Sequence, residues 1–289
     1  MENPCTLPLE GKLDHLKRVL STTGPTLIAF SGGVDSSFLL ATAAQVLGDQ
    51  VVALMTISPS TPPEDAQFAR SLTGTLGVRF LTVQHNELAI PGYAANPINR
   101  CYFCKNSLYE ICRREARRLS LRSVADGVNL DDLKDYRPGL RAADEYGILH
   151  PLVEAQFGKE DIRQASRLLC LPTWEKPSSP CLASRVPYGM PITAAKLSQI
   201  ARGELLLRSF GVKELRVRHH GRSARIEIAL ADLPRVSDPA VIQALCGGMR
   251  AIGFSSVLLD LEGYRGGVFN PSAIPPGEKG TARRSAPLT

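Results

Sequence analysis

No stretch of this sequence approaches the ~20 consecutive apolar residues of a membrane span. The N-terminal segment MENPCTLPLEGKLDHLKRVL also has no apolar leader core between its early charges. Both absences lead us to expect a cytoplasmic protein without membrane contact. An even, closely spaced cysteine set of the kind that staples small secreted domains is missing too. The seven cysteines, Cys5, Cys101, Cys104, Cys112, Cys170, Cys181 and Cys246, are odd in number and spread over 289 residues. They read as core thiols or as chemically active groups rather than a disulfide framework. There is no internal repeat. There is also no G-x-x-x-x-G-K-[ST] string, and so no phosphate loop carrying its own lysine.

What is present is a chain rich enough in apolar residues (44%) to bury a sizeable core. It is basic, with 34 Lys and Arg against 28 Asp and Glu, a formal charge of +6. That balance suits anionic partners such as nucleotides. The densest basic run, Arg113, Arg114, Arg117 and Arg118, reads as the solvated face of a helix, which argues against a nucleic-acid patch.

The first part of the chain alternates strand and helix patterns. Strands are expected at 26–30 (TLIAF), 51–57, 78–83 (VRFLTV) and 122–125, and helices at 35–47, from 62 to about 77, and at 102–119. Thr61, Pro62 and Glu64 spell a capping signature, with Thr61 as N-cap. Cys112, Cys170 and Cys246 fall in apolar helical segments and are expected in the core. This β-α repetition implies an α/β fold, a doubly wound parallel sheet whose ligands sit beyond the carboxyl ends of its strands. A proline-rich stretch, 170–192, then separates it from an α-β-β-α-β pattern: helix 193–210, strands 213–219 and 223–230, helix 238–252 and strand 254–261. The expected division is a nucleotide domain over 1–170, an active-site loop over 171–192, a small α+β domain over 193–274 and a disordered tail over 275–289.

The string Ser31-Gly32-Gly33-Val34-Asp35-Ser36-Ser37 lies between a buried strand and an amphipathic helix. Two glycines let the backbone turn tightly enough for several N–H groups to meet one phosphate, and the helix N-terminus adds partial positive charge. The serines add hydroxyl donors, and Asp35 is placed to hold a Mg²⁺ that bridges phosphate oxygens. A plain glycine turn with Asp35 as helix cap is the alternative. Gly127, in the turn after the fourth strand, belongs with the nucleotide site. The full string resembles the PP-loop of the N-type ATP pyrophosphatases, which cleave ATP between the α and β phosphates, attach AMP to a substrate oxygen and then displace it with a nucleophile.

Three further strings narrow the resemblance: Asn99-Arg100-Cys101-Tyr102-Phe103-Cys104-Lys105, Pro180-Cys181-Leu182-Ala183-Ser184-Arg185, and Arg216-Val217-Arg218-His219-His220-Gly221 followed by Arg225-Ile226-Glu227. Together with the phosphate loop, over roughly residues 9–272, they resemble the LarE family of ATP-dependent sulfur transferases. These make the pyridinium thiocarboxylate mononucleotide that becomes the nickel-pincer nucleotide cofactor. The resemblance implies ATP and Mg²⁺ as cofactors and a phosphorylated pyridinium dicarboxylate mononucleotide as partner. It implies Cys181 as sulfur donor, and Cys101, Cys104 and Cys181 as thiolate ligands of a [4Fe-4S] cluster with one open iron. It further implies Arg216 and Arg218 as holders of the substrate phosphate, an acidic role for Glu227, and a trimer-based homo-oligomer. Lys105, Asn129, Asp131 and Arg185 are candidates to contact phosphates or the activated carboxylate.

The residues alone leave alternatives. A Cys-x-x-Cys spacing serves a cluster, a zinc site, a redox pair or inert thiols. Trp174 stacks on a ring or covers the core. His219 and His220 alternate across a strand, so at most one faces a given site. A PP-loop enzyme that thiolates tRNA is the nearest rival, opposed by the absence of an obvious RNA-binding appendage. A non-catalytic nucleotide- or metal-binding regulatory module is the rival of another class.

Overall fold

The computed structural model describes residues 7–134, 138–177 and 179–264. The expected tail over 275–289 lies outside the described residues. Helix α1 (Leu9–Thr23) leads into strand β1 (Thr26–Ala29), the phosphate loop and α2 (Val34–Leu47). Then come β2 (Val51–Ile57), α3 (Pro63–Thr75), β3 (Arg79–Gln84), α4 (Arg100–Arg118) and β4 (Ser123–Asp126). All four strands are parallel, in the order β3-β2-β1-β4. The chain steps outward from β1 to β3 and then returns to the other side of β1. The space beyond β1 and β4 is therefore the switch point at which such sheets open a ligand crevice.

Every residue of β1 is buried, as a central parallel strand covered on both faces requires. One face packs on α1, α2 and the later helix over Lys159–Leu168 through Leu16, Leu20, Phe38, Leu39, Phe157 and Ile162. The other packs on α4 and α5 (Pro138–Glu145) through Leu27, Leu54, Tyr109, Cys112 and Val124. Burial raises the Cys112 thiol pKa to about 12, the behaviour of an inert core group.

Beyond α5 lie α6 (Pro151–Glu154) and α7 (Lys159–Leu168), then the loop-rich stretch and α8 (Ala194–Ser209). A second, three-stranded sheet follows. Its strands β5 (Leu215–His220) and β6 (Ser223–Ile228) are antiparallel. After α9 (Leu233–Val236) and α10 (Pro239–Ile252), β7 (Ser256–Leu259) pairs parallel to β6. This sheet has its own apolar cluster, including Leu207, Val217, Ile226, Met249 and Phe254. Among the described residues, no helix is long and apolar enough to cross a membrane.

Two local expectations are corrected. Helix α3 begins at Pro63 with Pro62 as its cap, and Thr61 makes no capping bond. Its hydroxyl instead accepts from the Ser58 amide at 3.2 Å and meets Ser58 Oγ at 3.0 Å, closing a turn at the end of β2. Cys170 is exposed and sits at φ 51°, past the end of α7, so it is not a core residue.

Candidate active site

A cleft of about 320 Å³ opens at the switch point. Its walls include Ser31, Asp35 and Ser36 from the phosphate loop, Asp126 and Gly127 after β4, Ser60, Thr61 and Asp65 after β2, Glu87, Lys105 of α4, and Cys181. Thus the phosphate loop, a lysine and the cysteine singled out as sulfur donor share one cavity.

The loop is built for a backbone that turns on itself. Gly32 has φ +70°, a left-handed conformation that costs glycine little. Ser31 Oγ lies 3.1 Å from Ser36 Oγ, and the Gly33 amide donates to Ser31 Oγ at 3.4 Å. Ser37 is fully buried, and its Oγ has no hydrogen-bond partner among the described residues. Asp35 Oδ2 accepts from Lys159 Nζ, while its buried Oδ1 has no partner among the described residues. That orphaned carboxylate oxygen fits a hard divalent cation, the kind of ligand Mg²⁺ takes.

Gly127, in the cleft wall, also meets a steric demand. A Cβ there would lie 2.8 Å from the Ser36 amide nitrogen and 2.9 Å from Ser36 Cα, both backbone atoms at the start of α2. Only glycine lets the β4 turn approach the phosphate loop this closely. Gly127→Ala is expected to destabilise the protein by roughly 1–3 kcal/mol, as forced overpacking does. It should also weaken ATP binding in parallel. A denaturant melt together with an ATP titration checks both.

Asp126 is the centre of a network without a local sequence signature. Its Oδ2 accepts from Tyr109 Oη at 2.6 Å, and its Oδ1 lies 2.7 Å from His150 Nδ1. Burial alone would raise the Asp126 pKa, but the His150 hydrogen bond and the Lys105 charge override it and hold the carboxyl below its usual range. Burial likewise opposes charge on Lys105, yet Tyr109 and Asp126 outweigh it and lift the ammonium pKa. Lys105 therefore stands in the cleft as a fixed cation, with Nζ 5.2 Å from the Tyr109 ring centroid.

The cysteines come from two segments. Cys101 and Cys104 sit one turn apart at the start of α4, Cys101 exposed and Cys104 half-buried. Cys181 is exposed to the cleft, and the next residue is tethered by the Leu182 amide donating to Ser60 O at 2.9 Å. Burial raises the Cys104 thiol pKa, and the charges of Cys181 and Glu87 add to the effect. Dehydration by the cleft walls raises Cys181, with Arg100 pulling the other way and Cys101 reinforcing the rise. The three sulfurs thus share one electrostatic neighbourhood. Among the described residues, however, no three His, Cys, Asp or Glu side chains are grouped as a ready-made metal site.

The remaining candidates are not among the residues that line this cleft. Arg185 is 1% exposed and fully engaged: it pairs with both oxygens of Glu204 at 2.9 and 3.1 Å, and donates to the carbonyls of Pro180 and Cys181. It shapes the loop that presents Cys181. Arg216 and Arg218, two apart on β5, are both buried. Arg218 pairs with Glu227 at 2.9 Å and donates to Ser184 O at 3.0 Å. Arg216 lies over the Tyr264 ring at 4.8 Å, and burial followed by the nearby Arg185 lowers its pKa. Asn129 Oδ1 accepts from the Asp131 amide, and its buried Nδ2 has no partner among the described residues. Asp131 is exposed, accepting from Lys134 Nζ and from the Lys159 amide. His219 points inward against Phe254 and Gln199, while His220 is exposed. No local motif marks Glu87, which accepts from the Ser58 and Ser60 hydroxyls at 2.8 Å, or Lys159, Lys176 and His150, which reach Asp35, Gly32 and Asp126.

A glycine-bearing phosphate loop at the switch point of a four-stranded parallel sheet defines a nucleotide-binding domain of the PP-loop type. The family model described as NAD synthase matches residues 10–91, the part of the chain that holds this loop. The chain is 44% identical over 262 residues to an uncharacterized protein from Synechocystis, covering 91% of this chain and 98% of the relative. It is 36% identical over 245 residues to the pyridinium-3,5-bisthiocarboxylic acid mononucleotide synthase of Lactiplantibacillus plantarum, covering 84% and 88%. It is 29% identical over 239 residues to an uncharacterized protein from Methanocaldococcus jannaschii, covering 83% and 90%. The chain belongs to the LarE family of ATP-dependent sulfur transferases, the family of the Lactiplantibacillus synthase.

Proposed function

We propose that this protein adenylates a carboxylate of pyridinium-3,5-biscarboxylic acid mononucleotide and replaces its oxygen by sulfur, a step in nickel-pincer nucleotide biosynthesis. The observation that carries the reading is that Cys181 lines the same cleft as Ser31, Asp35, Ser36 and Gly127. Activation and sulfur delivery then occur in one cavity. In the first step a substrate carboxylate oxygen bonds to the α-phosphorus of ATP, and the α–β bridging oxygen leaves with its electron pair as pyrophosphate. Amides of the glycine loop and the N-terminus of α2 hold the phosphates, and Asp35 would hold Mg²⁺. Lys105 offsets the carboxylate charge. In the second step a sulfide-level sulfur attacks the acyl carbon, and AMP departs with the electron pair of the carbon–oxygen bond, which leaves the thiocarboxylate directly. By the family resemblance, Arg216 and Arg218 are the residues that receive the substrate phosphate.

Soft thiolate donors suit iron–sulfur chemistry, and Cys101, Cys104 and Cys181 would hold such a cluster. When bound, the cluster supplies an iron without a protein ligand, able to carry the sulfide to be transferred. Within this reading, 1–170 binds nucleotide, 171–192 presents sulfur, and 193–274 serves substrate binding and homo-oligomer formation.

The test is anaerobic incubation of the purified protein with ATP, Mg²⁺ and the mononucleotide, followed by mass spectrometry and iron and labile-sulfide analysis. The expected result is thiocarboxylate product, stoichiometric AMP and pyrophosphate, and protein-bound iron with sulfide. Pyrophosphate release without any sulfur-containing product would overturn the proposed substrate. Stoichiometric zinc in place of iron would overturn the cluster.

A further inference from the structure

The cleft walls carry five carboxylates, Asp35, Asp65, Glu87, Asp126 and Asp132, against one lysine, Lys105. A triphosphate entering such a cleft meets like charge unless cations stand at the loop itself. The loop has none of its own, yet two ammonium groups are delivered to it from elsewhere. Lys159, the first residue of α7, reaches Asp35 Oδ2. Lys176 Nζ donates to the Gly32 carbonyl at 3.0 Å and to Asp65 Oδ1 at 2.9 Å, and lies 4.3 Å from the Phe68 ring centroid.

Helix α7 places both. Lys159 opens it, and Arg163, one turn further on, donates to the Trp174 carbonyl and, at 3.1 Å, to the Lys176 carbonyl. Arg163 thereby fixes the turn that carries Lys176. Arg167, a further turn along, lies 5.1 Å from the Trp174 ring centroid. One helix thus aims two ammonium groups at one phosphate loop.

On the reading that this cleft takes ATP, we infer that Lys159 and Lys176 form a two-ammonium subsite for the diphosphate end of the nucleotide. Without ligand they neutralise Asp35 and Asp65. With ligand, Lys159 exchanges Asp35 for phosphate oxygen and so releases that carboxylate to the metal. Lys176 uses two of its three donors on Gly32 and Asp65 and directs the third at the same phosphates. When the α–β bond breaks and the bridging oxygen takes the electron pair, negative charge grows on the departing diphosphate. Two fixed ammonium groups offset it there. Arg163 is a positioning residue that acts through Lys176.

Calorimetric titration with inorganic pyrophosphate and, separately, with AMP tests this on the full chain and the variants Lys159→Gln, Lys176→Gln, Lys176→Arg and Arg163→Gln. Loss of one charge-assisted contact predicts about a tenfold weaker pyrophosphate affinity in Lys159→Gln and in Lys176→Gln. Lys176→Arg should recover most of the loss, and Arg163→Gln should fall between. AMP affinity should stay within about twofold throughout, because AMP lacks the phosphates in question. Unchanged pyrophosphate affinity, or parallel loss of AMP and pyrophosphate, would overturn the subsite. Pyrophosphate binding needs no turnover. A wild-type protein that binds pyrophosphate through these lysines but releases none from ATP would therefore defeat the enzymatic reading and leave the subsite standing.

Discussion

Replacing Asp35 with alanine is expected to suppress pyrophosphate release from ATP by at least about a hundredfold, the scale on which a catalytic metal's charge stabilisation acts. Its buried Oδ1 has no protein partner among the described residues, so the group most naturally spared for a cation sits beside the serines of the phosphate loop. The fold should survive. The side chain's partner, Lys159, is 39% exposed, so water takes over the ammonium when the carboxylate is gone. The measurement is steady-state pyrophosphate release over a range of Mg²⁺ concentrations, with a thermal melt alongside. If excess Mg²⁺ restored full activity, Asp35 would be one binding group among several. Undiminished release would remove it from the site.

The second large effect is expected from Cys181→Ala. Thiocarboxylate formation should drop below about one per cent of wild type, because among the described residues no other thiol lines this cleft. Pyrophosphate release in the presence of substrate should stay within about twofold. The split follows from the geometry. The loop is held by backbone contacts, Leu182 to Ser60 and Arg185 to the carbonyls of Pro180 and Cys181, which do not involve the thiol. Adenylation thus loses nothing when sulfur is removed. Sulfur transfer that continued in this variant would place the donor elsewhere, and loss of both half-reactions would mean that Cys181 shapes the nucleotide site.

What the sequence made legible was what is local. The buried run TLIAF, the glycine pair and the following helix pattern lie within one β-loop-α unit, so periodicity and turn chemistry identify them together. The parallel sheet follows from repetition of that unit. Lys159, Lys176 and Arg163 were not legible, since nothing near a surface-type lysine records that its ammonium ends 124 or 144 residues away in sequence, at Asp35 and Gly32. The Asp126–His150 pair is hidden for the same reason. Thr61 matched a capping pattern, but its hydroxyl was drawn into the Ser58 turn. Cys170 followed an apolar helix pattern that ends just before it, where the chain turns through a positive φ.

Composition marks 171–192 as a connector, with prolines and little periodicity, yet Arg185 and Ser184 within it are tied to the second half of the chain. Arg185 is locked to Glu204 of α8, and Arg218 of β5 grips the Ser184 carbonyl. Breaking a buried pair of this kind costs about 3–5 kcal/mol. Cutting the chain after this stretch to obtain a minimal ATP-binding fragment would strand the Arg185 charge without its carboxylate. The loop that carries Cys181 would then lose that anchor. On the proposed reading the nucleotide half supplies the energy, while α8 and β5 of the other half hold the loop that carries Cys181.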